Sequence, residues 1–135
     1  MKADVYRNLT KRCMSIRSRE RASYGRVVEH SSLIYMKNCK FIVNQAGRAK
    51  VLKTKRKNVH AFVRGEVMSS WGLIEKGNFL PPSPVDGWVE VTYNPYISET
   101  FVVKDWNEDY SIRVSGAENV YIMNNKVYAK GLLGV

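Results

Sequence analysis

Short apolar runs of three to five residues, each closed within a few positions by Asn, Gly, Ser or a Lys-Asn pair, recur along most of the chain. This rhythm favours strands over helices. Cys13 to Arg17 alternates as Cys-Met-Ser-Ile-Arg, Arg26 to Glu29 carries Val27 and Val28, and the runs Leu33 to Met36 and Cys39 to Val43 are separated by Lys-Asn. That spacing predicts successive hairpins. Val59 to Val67, Gly87 to Tyr93, Thr100 to Val103, Ser111 to Val114, Val120 to Met123 and Lys126 to Ala129 read the same way. Met123-Asn124-Asn125-Lys126 is a two-residue hairpin signal, because Asn tolerates the left-handed conformation such turns require.

Helix is scarce. Gly47 to Lys57 is the clearest segment for one, with Ala49, Val51 and Leu52 forming a small apolar face among cations. So short an element needs packing against a sheet to persist. The expected fold class is therefore mainly β, an antiparallel sandwich or barrel-like domain with one short basic helix. At 135 residues the chain is long enough for a single domain with a core that needs no staples.

An internal repeat is also legible. Displacing the chain by 87 positions lays Tyr6 on Tyr93, Met14 to Ile16 on Phe101 to Val103, Val27 on Val114, Leu33 on Val120, Met36 on Met123 and Asn38 on Asn125. Each copy reads as a Tyr-led turn, a strand, a polar loop, a strand and a hairpin, which gives two similar β units at about 5–43 and 92–130 with an insert at 44–90. The insert ends in the proline-rich stretch Phe79 to Gly87, an extended crossing or surface loop, with Trp71, Phe79 and Trp88 expected to pack beneath it.

Charge is distributed unevenly. Residues 1–66 hold 17 Lys and Arg against 4 Asp and Glu, whereas residues 67–135 hold 5 against 8. Solubility alone does not call for that split, so it predicts a face built to meet an anion. Arg48, Lys50, Lys53, Lys55, Arg56, Lys57 and Arg64 place seven cations in seventeen residues with no acid among them, and Arg17, Arg19, Arg21 and Arg26, with Arg12 nearby, form a second group. Arginines suit bidentate phosphate contacts and lysines a looser attraction, while the bland alternative is a solvated face. Tyr6, Tyr24, Tyr35, Phe41 and Phe62 could add base stacking; most are expected in the core, and Tyr24, in the Arg-rich loop, is the one expected at the surface.

Catalysis has little to work with. His30 and His60 are the only histidines. As an acid and base with a nearby Lys they would give a metal-free nuclease or nucleotide hydrolase. Zinc held by Cys13, His30, Cys39 and His60 is a weaker reading, since no pair has the close spacing of a metal knuckle. There is no Walker-type phosphate loop and no nucleophile elbow, so neither a metal nor another cofactor is expected. No stretch reaches the roughly 18 to 20 apolar residues of a membrane span, and no apolar signal region follows Met1. A cytoplasmic protein with no membrane partner is expected, its two cysteines reduced, with a single disulfide left open.

Several phrases carry a family likeness: Val5-Tyr6-Arg7-Asn8-Leu9, Gly25-Arg26-Val27-Val28-Glu29-His30, Cys39-Lys40-Phe41-Ile42-Val43, Ala46 to Leu52 and Arg56 to Gly65. Over residues 5–67, with a fainter echo in Tyr93-Asn94-Pro95-Tyr96, the chain resembles small accessory proteins of tailed bacteriophages and their prophages. The resemblance brings no functional residue with it. It implies a setting of host takeover or anti-defence.

Three expectations follow. The first is a non-enzymatic binder of nucleic acid or a nucleotide-derived signal. The second is an inhibitor that docks on an acidic or nucleic-acid-binding surface of a host defence protein, its cations acting as a decoy. The third is the histidine enzyme. Pairing of the acidic half with the basic half of a second copy would give a homo-oligomer.

Overall fold

The computed structural model describes residues 1–68, 87–104 and 111–134. The proline-rich stretch 79–86, Trp71 and Phe79 lie outside the described residues. In chain order the elements are β1 (Lys2–Asn8), β2 (Cys13–Ser18), a 3-10 turn (Arg21–Ser23), β3 (Val27–Ser31), β4 (Leu33–Val43), α1 (Gln45–Thr54), β5 (Ala61–Met68), β6 (Val89–Thr92), β7 (Val102–Lys104), β8 (Ser111–Met123) and β9 (Lys126–Gly134).

All nine strands among the described residues belong to one antiparallel sheet ordered β3-β2-β1-β5-β4-β8-β7-β6-β9, and β9 also pairs with β8. The strands β8, β7, β6 and β9 therefore close into a ring, which is the barrel-like part of the fold. The remaining strands share its core: Ala3, Val5, Met14, Ile16, Ile34, Met36 and Val63 lie in one apolar cluster with Val91, Phe101, Val103, Val114, Val120, Ile122 and Ala129. Ile16, Ile34, Met36 and Ile122 are among the largest fully buried side chains. Burial of each such side chain is worth roughly 1.5–3 kcal/mol.

Two sequence-based readings change. Lys37-Asn38 does not turn the chain back; β4 runs unbroken through it, and the registers with β5 and β8 both skip Asn38. Asn38 takes the left-handed conformation (φ 53) that its residue type favours, but as a bulge. Likewise the Tyr-led start of the chain is a strand, β1, in which Ala3 and Val5 are buried and Asp4 points the other way, to Arg64. The Asn124-Asn125 hairpin forms as expected, with φ of 50 and 66.

The β4–β8 ladder has a symmetric register. Leu33 faces Met123 and Met36 faces Val120, so a two-fold between these pairs exchanges Leu33 with Val120 and Met36 with Met123. Flanking order follows the same scheme, β3-β2-β1-β5-β4 on one side and β8-β7-β6-β9-β8 on the other. At the end of the ladder, where it pairs with Lys40, Gly116 lies so close to β4 that a Cβ there would run into the Cys39 carbonyl oxygen.

Helix α1 begins and ends two to three residues earlier than its cation pattern predicts. Asn44 caps it, its side chain accepting from the Gly47 N–H at 3.1 Å, and Lys55 ends it in the left-handed conformation at φ 61. Val51 is its one buried residue. Side-chain tethers add to that: Gln45 Nε2 donates to the Glu99 carbonyl at 2.9 Å and Arg48 Nε to the Pro95 carbonyl at 3.1 Å. No helix among the described residues is long and apolar enough to cross a membrane.

Candidate anion-binding groove

The turn after β1, the end of α1 with the segment leading into β5, and the turn after β6 meet at one end of the sheet. Between them lies a half-open groove of about 930 Å³ lined by Arg7, Arg12, Lys55, Lys57, Asn58, His60, Tyr93, Asn94 and Tyr96, among others. Among the described residues its charged lining is four cations and no carboxylate. Such an arrangement focuses a positive field on whatever enters. A smaller chamber of about 280 Å³ adjoins it, sharing Arg7, Ala61 and Tyr93 and otherwise lined largely by apolar residues such as Val5, Met14 and Phe101.

Each wall is held by local chemistry. Asn8 closes the β1–β2 turn, its Oδ1 accepting from the N–H groups of Thr10 and Lys11 at 3.0 and 2.9 Å. Arg7 continues the strand face of Ala3 and Val5, which directs it to the mouth of the barrel-like end. On the opposite wall Asn94 forms an Asx turn, Oδ1 accepting from the Tyr96 N–H at 2.9 Å. The floor is His60, 8% exposed. Its Nδ1 meets two acceptors, Asn58 O and Oδ1, at 3.1 and 2.9 Å, so Nδ1 carries the hydrogen and Nε2 accepts from the Tyr93 hydroxyl at 2.7 Å. Burial raises the Tyr93 phenol above its ordinary pKa, against the opposing pull of Arg48. Rings continue inward from His60 through Tyr93 and Phe101 to Phe41, at centroid spacings of 5.3, 5.4 and 5.2 Å.

Of the cations singled out in the sequence, Lys55 and Lys57 line the groove, joined by Arg12 and by Arg7, which no local pattern marks. Lys50, Lys53 and Arg56 are exposed on and after α1 without lining it. Arg48 is committed to the Pro95 carbonyl. Arg64 is committed to Asp4, Nε to Oδ1 at 2.9 Å and Nη2 to Oδ2 at 3.2 Å, and this carboxylate raises its pKa further. The second group sits elsewhere. Arg17 lies over the Tyr6 ring at 5.0 Å, Arg19 is half-buried, and Arg21, Arg26 and the 69%-exposed Tyr24 surround the 3-10 turn. That turn follows the far end of β2, about 20 Å along the β1–β2 hairpin at 3.3 Å per residue.

The histidines are also kept apart. His30 stands exposed on β3, separated from β5 by β2 and β1, its Nδ1 at 2.7 Å from Ser15 Oγ. Asn8 Nδ2 donates to the same hydroxyl at 3.0 Å. Ser15 is fully buried, which denies a substrate access to that hydroxyl. Cys13 and Cys39 are free thiols, and among the described residues no three His, Cys, Asp or Glu side chains gather as metal ligands.

Sequence reasoning missed Tyr93, Asn94 and Tyr96 as groove residues. The signal was the Asn-Pro pair between two tyrosines, which marks a turn presenting aromatics.

No solved structure matches this chain. It is 32% identical over 131 residues to the Gene 82 protein of Mycobacterium phage L5, an alignment covering 93% of this chain and 92% of that protein. The family model described as Mycobacterium phage L5 gene 82 protein matches residues 1–130. With both the relative and the family model spanning nearly its whole length, the chain belongs to the Mycobacterium phage L5 gene 82 protein family.

Proposed function

We propose that this protein is a non-enzymatic phage accessory protein that captures a phosphate-bearing ligand, a nucleotide-derived signal or nucleic acid, in the groove. The observation that carries the reading is the lining itself: Arg7, Arg12, Lys55 and Lys57 converge from separate segments, with no acid among the described residues that line the groove. A volume of about 930 Å³ is that of a small-ligand site. Each phosphate neutralised there releases counterion, so affinity falls steeply with salt. Capture without turnover also fits a floor histidine whose two nitrogens are already engaged. In an infected cell, holding such a ligand would withhold it from a host defence. We likewise propose that the two β units are copies of one ancestral unit, a reading supported by the symmetric β4–β8 register.

The test begins with native mass spectrometry and the ultraviolet absorbance ratio of protein purified from cells, followed by titration with labelled oligonucleotide. Capture predicts a co-purifying nucleotide or nucleic acid, and loss of binding in a folded Arg7→Glu, Lys55→Glu, Lys57→Glu variant. A ligand-free protein that binds no oligonucleotide or nucleotide would overturn the reading and turn attention to docking on an acidic host protein.

A further inference from the structure

We infer that Tyr96 is a stacking platform for an unpaired nucleobase, so that the groove takes a whole nucleotide unit and not a bare phosphate. This rests on the anion-binding reading above. Tyr96 lines the groove yet is 55% exposed, whereas its neighbour Tyr93 is engaged with His60 and Phe101. The ring is preplaced: Asn94 holds the Tyr96 N–H through Oδ1 and accepts from the N–H groups of Ile97 and Ser98 at 3.0 Å through its carbonyl. Arg48 and Gln45 then fasten the same turn to α1 through Pro95 and Glu99. With the backbone fixed, a tyrosine offers a large flat surface at the cost of ordering only two side-chain torsions.

Charge completes the unit. Lys55 Nζ lies over one face of the Tyr96 ring, 5.4 Å from its centroid, so a base laid on the opposite face would have its phosphate beside a groove that Lys55 and Lys57 line. Tyr24 is more exposed, but it is not among the residues that line the groove. A paired base is already stacked within its duplex, so only an unpaired one can use the ring. The ligand is therefore a free nucleotide or a single strand.

The experiment titrates full-length wild type, Tyr96→Ala and Tyr96→Phe with three probes: ATP, a labelled ten-nucleotide oligothymidine, and inorganic tripolyphosphate, with circular dichroism confirming the fold. Tyr96→Ala is expected to bind whichever base-bearing probe wild type prefers about 5- to 150-fold more weakly. Tripolyphosphate affinity should not change, and Tyr96→Phe should behave as wild type. Preference for the oligomer or for ATP supports the proposal in either direction and names the source. An unchanged Tyr96→Ala affinity for the base-bearing probe, or an equal loss for tripolyphosphate, overturns the stacking role while leaving anion capture standing. If wild type binds none of the three, both readings fall.

Discussion

The Tyr93 hydroxyl donates to Nε2 of His60 over 2.7 Å, and this bond ties β6 to the segment that enters β5. Tyr93→Phe removes the donor and leaves a buried imidazole nitrogen without a partner. The expected loss is about 1–2 kcal/mol of unfolding free energy, read as a lower urea midpoint with an unchanged slope.

Arg64 belongs to the densest cationic stretch of the sequence but serves the fold. Its bidentate bond to Asp4 joins β5 to β1 with both partners half-buried. Arg64→Ala is therefore expected to cost about 1–2 kcal/mol of stability and leave ligand affinity nearly unchanged. Lys57→Ala should do the reverse, weakening binding and lowering its salt dependence with little effect on melting.

Gly47 presses against the floor histidine. A Cβ at this position would stand 2.5 Å from His60 Cβ, so in Gly47→Ala either α1 or the segment bearing His60 must give way. Alanine elsewhere in a helix interior gains about 1 kcal/mol over glycine. Here the melting temperature is expected to fall, and a rise would mean that α1 shifts without cost.

Burial pushes the Cys39 thiol up from 9.0 to about 12. For an acid whose folded pKa lies above its unfolded one, the folded state keeps the proton longer. Stability from this group is thus complete below about pH 9 and is lost as pH rises toward 12. Cys39→Ala should flatten the decline that begins near pH 9, before the tyrosines titrate; denaturant curves from pH 7 to 10.5 read it. In native protein iodoacetamide should label the half-buried Cys13 ahead of Cys39.

Local chemistry was legible wherever the outcome is local. The Asn124-Asn125 hairpin, the strand rhythm and the position of α1 follow from residue types and spacing. Asn38 shows where that ends: its left-handed preference is real, but pairing of both halves of β4 with β5 and β8 decides that it bulges instead of turning. β1 was obscured because Asp4 and Arg7 interrupt an otherwise apolar run, and their reasons lie across the sheet in Arg64 and in the groove. The imbalance of charge between the halves is plain in the sequence. Which cations lie side by side is not, since Arg7 and Lys55 meet at one groove only in the folded chain.

The symmetric junction also has a bearing on the order of folding. Its ladder joins residues 33–40 to residues 116–123, so it cannot form until residue 116 and those after it have left the ribosome. The β1–β5 and β4–β5 pairings close well before then, and β4 must wait with one bare edge. Closing so long a loop is slow, and a bare edge invites pairing with another nascent chain. Pulse-labelled hydrogen exchange should find the β4–β8 amides protected last, which would make the centre of the finished sheet the final part of it to assemble.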